Sequence, residues 1–251
     1  MSPVLLRIIS ATSAASYFGA FTLCKMKKGA SSYLWYVAIA LNASLVVNNF
    51  LVNGYVPFVS MYQVLTFLGV TFSLVYVYMR FLHNGGFMKP YFMIVPAIIM
   101  VGVTCMDQNS VWSFPPALQS AFFVPHVLSY MISYSLIAVA AVMTVINHYK
   151  KKSEYENGIY NLSLTSFPFM LSGMLLGSLW ANECWGEYWQ WDAKENWSLI
   201  TAISILIYFH FRKHPRLKKH ANTFVVLTLV FAIITLLFVN MFGGDSNHTY
   251  S

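Results

Sequence analysis

The segment Trp185-Gly186-Glu187-Tyr188-Trp189-Gln190-Trp191-Asp192 sets three tryptophans and a tyrosine within eight residues. Rings at that density, beside Asp192, Lys194 and Glu195, could hold a flat apolar ligand. The competing reading is an interfacial belt, because Trp and Tyr join an apolar ring to one polar group and are enriched where bilayer meets water. Belts scatter their rings over many helix ends, whereas 5 of the chain's 7 tryptophans lie between 180 and 197. Three histidines are the other chemically capable groups. His126 follows Pro125, His210 lies deep in an apolar run, and His248 lies in the C-terminal tail. Neutral imidazole is a good metal ligand, so their placement relative to the rings decides what they can do.

The elements that must position them are membrane helices. At 58% hydrophobic and 9% charged residues in 251, the chain is far from a soluble domain, in which about a quarter of residues are charged. A spanning helix needs about 20 mostly apolar residues. That template fits eight times, at 3–24, 33–53, 60–82, 89–106, 122–148, 160–182, 197–213 and 221–243. The expected fold is therefore all-α, a polytopic integral membrane bundle forming one domain over 1–251. No cleavable signal-peptide pattern is expected, because no basic region precedes the first span and no small-residue cleavage site follows it.

The net charge of +7 does not indicate nucleic acid, because the basic residues cluster in alternate loops. Lys25, Lys27 and Lys28 follow span one, and Arg80 and Lys89 flank the gap after span three. Lys150, Lys151 and Lys152 follow span five, and Arg212, Lys213, Arg216, Lys218 and Lys219 follow span seven. The positive-inside rule makes those loops cytoplasmic. The loops at 54–59, 107–121 and 183–196 and the tail after Gly243 then face outward, with Lys194 as their only basic residue. Both termini and the tryptophan region are expected outside.

On that topology His126, His248 and the rings share one face. A histidine alone at a helix end is ordinarily a headgroup contact. Two of them flanking an aromatic shelf suit a planar macrocycle with a central iron, which offers one axial position on each side, and so point to haem. His210 sits about 20 Å below the start of its span at 1.5 Å per residue. An ionisable group at such depth is either functional or hydrogen-bonded between helices, unless it snorkels with Arg212 and Lys213. As an iron ligand it would need a second ligand from another subunit. His83, His148, His214 and His220 lie in or beside basic loops and need no special role. Cys24, Cys105 and Cys184 form no CxxC pair and no metal-ligand spacing, and without CxxCH the chain carries no c-type haem of its own. Cys105 and Cys184 could in principle pair, but an apolar space-filling role is the expectation for each.

The stretch from Trp180 to Thr201, with Trp-Gly-x-Tyr-Trp-x-Trp-Asp-x-Lys-Glu-x-Trp starting at Trp185, resembles the "WWD" signature of haem-handling proteins, in the form seen in the CcsA (ResC) family. That family provides a subunit of the System II cytochrome c synthase. The similarity extends to Pro57-Phe58-Val59-Ser60-Met61-Tyr62-Gln63, to Ala117-Leu118-Gln119-Ser120 leading to His126, to Tyr208-Phe209-His210-Phe211-Arg212 and to Gly243 through Tyr250, so it covers about 54–250. Gln63 stands where the family commonly has Glu, Ala193 replaces a usual Pro, and the tail before His248 is longer and more polar.

The resemblance implies a haem lyase subunit that moves haem b outward and presents it to the CxxCH segment of apocytochrome c. It implies Trp185, Gly186, Tyr188, Trp189 and Trp191 as haem contacts, with Trp185, Trp189, Trp191 and Asp192 presenting the haem for attachment. His126 and His248 would be axial ligands of an outer site, and His210 a ligand of an inner one. The partners it implies are the CcsB (ResB) membrane subunit, with which the chain would be active, apocytochrome c and a thiol-reducing thioredoxin-like protein, in a bacterial inner membrane or a thylakoid. The other class is a haem transporter without ligation activity, as in CcmC. Asp192 is equally well read as an N-terminal helix cap.

Overall fold

The computed structural model describes residues 1–83, 85–108 and 115–238. Among these residues it contains eight α-helices and no strand: α1 Pro3–Lys25, α2 Ala30–Asn53, α3 Met61–His83, α4 Tyr91–Cys105, α5 Phe123–Lys150, α6 Ser153–Trp185, α7 Ala193–Lys213 and α8 Lys218–Ile233. A short π-helical stretch, Ile234–Phe238, continues α8. Seven of these segments are long and apolar enough to cross a membrane; α7, at 21 residues, carries Lys194 and Glu195 at one end and Arg212 and Lys213 at the other. The chain is an integral membrane protein built as a helical bundle.

Local chemistry starts and stops these helices. The Ser2 hydroxyl accepts from Leu5 N at 3.3 Å and Pro3 opens α1, where a missing N–H costs nothing. At the start of α3, Gln63 N donates to Ser60 Oγ at 3.3 Å, while Gln63 Oε1 accepts from Ser60 N at 3.4 Å and from Val59 N at 2.9 Å. That is a Ser-x-x-Gln capping box, a task Gln and Glu perform equally, so the exchange of Glu for Gln here keeps the helix start intact.

The helices gather in two compact units, Met1–Leu118 and Gln119–Ser251. In the first, α1 packs on α2 and α4, and α3 packs on α4 and α2. In the second, α5 pairs with α6 and α7 with α8, with α5 also against α8. The α5–α6 pair is close because α6 carries Gly173-x-x-x-Gly177. A Cβ on Gly173 would meet the Tyr130 ring at 2.8 Å, and one on Gly177 would meet the His126 ring at 2.6 Å. In lipid, where apolar burial does not drive helices together, such small-residue faces let dispersion do so.

Two boundaries differ usefully from the expected spans. α6 begins at Ser153 instead of 160 and ends at Trp185, which makes it 33 residues and about 50 Å long at 1.5 Å per residue. It thus outruns a hydrocarbon core of about 30 Å, and its first turns bring Glu156 onto the bundle. α7 begins at Ala193, ahead of the expected 197, so the loop shortens to 186–192.

Candidate functional site

The tryptophan loop is held at both ends by caps. α6 stops at Gly186, whose φ of 79° a side chain would resist and whose N–H donates to Asn182 O at 3.0 Å. α7 starts at Asp192, where Asp192 Oδ1 accepts from Glu195 N at 2.8 Å and Glu195 Oε2 accepts from Asp192 N at 3.2 Å. Glu195 Oε2 also accepts from Gln190 N at 2.8 Å, and Glu195 is only 8% exposed. This reciprocal box holds the turn without a proline after Asp192. Trp191 is forced to φ 58°, a left-handed conformation uncommon for a bulky residue, and its carbonyl accepts from Asn196 Nδ2 at 2.7 Å. Backbone strain of this kind concentrates at functional sites.

The caps leave the loop's rings in different environments. Trp191 is 67% exposed and Tyr188 57%. Trp189 is half-buried, its ring centroid 5.9 Å from that of Trp191 at 82°. The Trp189 Nε1–H is buried without a hydrogen-bond partner, an uncommon state for an indole donor that a ligand acceptor would relieve. Trp185 turns the other way, its ring 5.1 Å from that of Trp180, which is 5% exposed.

Through Trp180 the cluster reaches His126. The two rings are 5.6 Å apart, Tyr130 meets His126 edge-on at 5.2 Å, and Phe123 packs on Trp180 at 5.1 Å. His126 Nδ1 lies 2.8 Å from Gly173 O. A carbonyl can only accept, so Nδ1 carries the proton and Nε2 the lone pair, the arrangement of a metal-ligating imidazole oriented by a backbone carbonyl. Gly173 and Gly177 make this possible by letting the ring lie against α6. Nearby, Ser120 Oγ donates to Glu183 Oε2, which joins the segment before α5 to the end of α6.

Lys194, half-buried in the first turn of α7, has its pKa pushed down to about 7 by burial, with Asp192 pulling it back up. Burial thus weakens the positive charge at the end of α7 that borders the loop.

His210 is at the opposite end of α7, about 25 Å from Ala193 at 1.5 Å per residue. It is exposed, one turn below Leu206 and two below Ile203 on an exposed apolar stripe. Arg212 turns onto α6: its Nη1 donates to Glu156 Oε2 at 3.4 Å, and its guanidinium lies 4.8 Å from the Tyr160 ring centre. His248 lies outside the described residues. None of the three cysteines forms a disulfide, and Cys105 is exposed, so burial does not explain it as a space-filler.

The sequence model of the family described as cytochrome c assembly protein matches residues 58–244, which include His126, the tryptophan loop and His210. The chain belongs to the cytochrome c assembly protein family. Among its relatives, the cytochrome c biogenesis protein CcsA of Atropa belladonna is 28% identical over 247 residues, covering 79% of this chain and 78% of its own length. The CcsA protein of Chlamydomonas reinhardtii is 31% identical over 183 residues, covering 64% and 51%. These relatives group the chain with the CcsA proteins. The solved structure of the cytochrome c heme lyase CcmF aligns with a TM-score of 0.68 at 16% identity, covering 94% of this chain. The chain spans about half the length of CcmF (47%) and shares its fold.

In this cytochrome c assembly protein, His126, Trp180 and Trp185 form one cluster and Trp189 and Trp191 a second pair. Asp192 and Gly186 serve as the caps that shape the loop, and His210 stands apart. Sequence reasoning passed over Gly173, Gly177, Trp180 and Glu156. The Gly-x-x-x-Gly spacing in an apolar run was a readable signal for the first two. Glu156 had none, because it lay outside the expected span.

Proposed function

We propose that this cytochrome c assembly protein binds haem b against the tryptophan loop on the outer side of the membrane and presents it to apocytochrome c. The observation that carries this reading is His126. Its Nδ1–H is committed to Gly173 O, which leaves Nε2 as the ligating atom within a wall of aromatic rings. The buried Trp189 Nε1–H adds a donor suited to a carboxylate at the ligand's edge, as haem propionates provide. Exposed Trp191 and Tyr188 offer ring faces to a flat macrocycle. His248 is the second axial ligand on this reading, and His210 with a histidine of a CcsB-type partner holds haem at an inner site before export. The whole chain acts as one assembly domain, with the loop and both termini outside.

Attachment adds each CxxCH thiol across a haem vinyl group. Sulfur bonds to the carbon next to the ring and the thiol proton goes to the outer vinyl carbon, so no net oxidation occurs. The protein's contribution is orientation, since holding vinyl beside thiol supplies up to about 7–11 kcal/mol when alignment is good. A thioredoxin-like reductant keeps the thiols free. The caps at Gly186 and Asp192 fix the loop so that this alignment persists.

The test is a pyridine haemochrome spectrum on the purified chain, followed by reconstitution with the partner subunit and an apocytochrome. Haem on the chain and covalent c-type product in the mixture are expected. Colourless protein from haem-replete cells overturns haem binding, and bound haem without covalent product assigns the chain to haem transport alone.

A further inference from the structure

All four helices of the second unit meet at one carboxylate, at the end away from the tryptophan loop. Glu156 of α6 accepts at Oε1 from Asn147 Nδ2 of α5 at 2.7 Å and from Asn222 Nδ2 of α8 at 2.9 Å. At Oε2 it accepts from Arg212 Nη1 of α7 at 3.4 Å. Asn147 Oδ1 in turn accepts from Lys152 N at 2.9 Å, closing the α5–α6 turn, where Lys151 adopts a φ of 50°. The Arg212 guanidinium also lies over the Tyr160 ring of α6. A half-buried ion pair adds little net stability once desolvation is counted. What a fully connected, charge-assisted network does supply is geometry, because each bond is directional.

That geometry bears on His210. Residues two apart on a helix point about 200° away from each other. With Arg212 drawn onto α6, His210 must face out of the bundle, and it is exposed there. The inward stripe of α7 agrees: Thr201, Ile205 and Tyr208 are buried on the side that leads to Arg212. We propose that Glu156 is a positioning residue for His210. By gripping Arg212 it sets the rotation and depth of the last turns of α7 and so aims the imidazole at a partner or ligand outside the chain. Glu156 touches neither haem nor His210. Its link to haem rests on the reading of His210 as an inner-site iron ligand, while the aiming itself does not.

Two measurements keep these levels separate, the first on the full chain alone and the second on the full chain co-purified with its partner subunit. The first needs no haem. Cys24, Cys105 and Cys184 are changed to Ser, His210→Cys is introduced as a maleimide probe, and its labelling rate is compared with Glu156 intact or replaced. Glu156→Gln and Glu156→Ala are expected to slow labelling several-fold as the helix end turns. Glu156→Asp, which keeps the carboxylate, is expected to retain most of the rate. Equal rates in all backgrounds overturn the proposal, and if Glu156→Ala fails to fold, Glu156→Gln decides it.

The second measurement reads haem. Glu156→Gln is expected to convert the inner haem from a low-spin to a high-spin spectrum and to lower its retention about tenfold, as loss of an orienting partner does. The His126-dependent haem signal should stay in place. If His210→Ala leaves the spectrum unaltered, the iron-ligand reading falls, and the labelling rates still decide whether Glu156 aims α7.

Discussion

The two ends of the second helical unit each carry a histidine, and they present it in opposite ways. At the tryptophan loop, His126 is caged. Gly173 and Gly177 let it lie on α6, Gly173 O fixes its tautomer, and Trp180 and Tyr130 wall it in. At the other end, His210 has no such wall among the described residues; it stands on an exposed stripe, and the ordered groups lie on the reverse face of its helix, around Glu156. The first imidazole is oriented by what touches it and the second by what holds its helix. The groups that touch His126 all lie within the unit, whereas His210 faces outward from it.

The largest expected effect breaks this contrast directly. His126→Gly should lower bound haem about tenfold or more. Added imidazole should restore it, because the cage leaves a ring-sized gap. His210→Gly should lose the inner haem with weaker rescue, since nothing there would hold a free imidazole in place. Haemochrome titration with and without imidazole measures both, and equal rescue at the two positions would erase the distinction drawn here.

Gly177→Val comes next. Its branched side chain would enter space held by the His126 ring, and overpacking of this kind costs about 1–3 kcal/mol. Thermal unfolding should show the loss, together with depleted outer-site haem and an unchanged His210-dependent spectrum.

Asp192 tests whether the loop end does more than shape itself. Asp192→Ala should cost about 1 kcal/mol by removing the cap, whereas Asp192→Asn, an equally good cap, should be near neutral. Melting temperatures and cytochrome c yield, measured side by side, check this; a large fall in yield with Asp192→Asn at unchanged stability would show that the carboxylate takes part in chemistry.

The smallest effect concerns pH. Lys194 has a folded-state pKa of about 7 against an ordinary 10.5. Between those values the unfolded chain binds more protons, so its contribution to stability rises as pH increases through that window. Unfolding midpoints from pH 7 to 9 should climb in the parent chain and climb less in Lys194→Met.

The helical membrane bundle was legible because spanning helices need long apolar runs and because loop charges alternate. Asp192 was legible as one of two readings, a helix cap, whereas the pairing of Ser60 with Gln63 emerged only in the structure. The close α5–α6 packing was readable as Gly173-x-x-x-Gly177, yet its meaning depended on which residue faced the glycines. The length of α6 was less accessible. Ser153–Tyr160 is polar enough to pass for a loop, and it is helical because its side chains find partners on three other helices.

Residue type and spacing alone thus determined the membrane class, the ring-rich loop and which histidines were candidate ligands, since these follow from hydropathy, propensity and ligand chemistry. Tertiary structure alone decided that His126 Nδ1 bonds to Gly173 O, that Trp185 packs inward while Trp191 faces outward, and that Glu156 gathers four helices opposite His210. Each of those depends on directional contacts between residues distant in sequence, and a one-dimensional pattern carries no record of which faces meet.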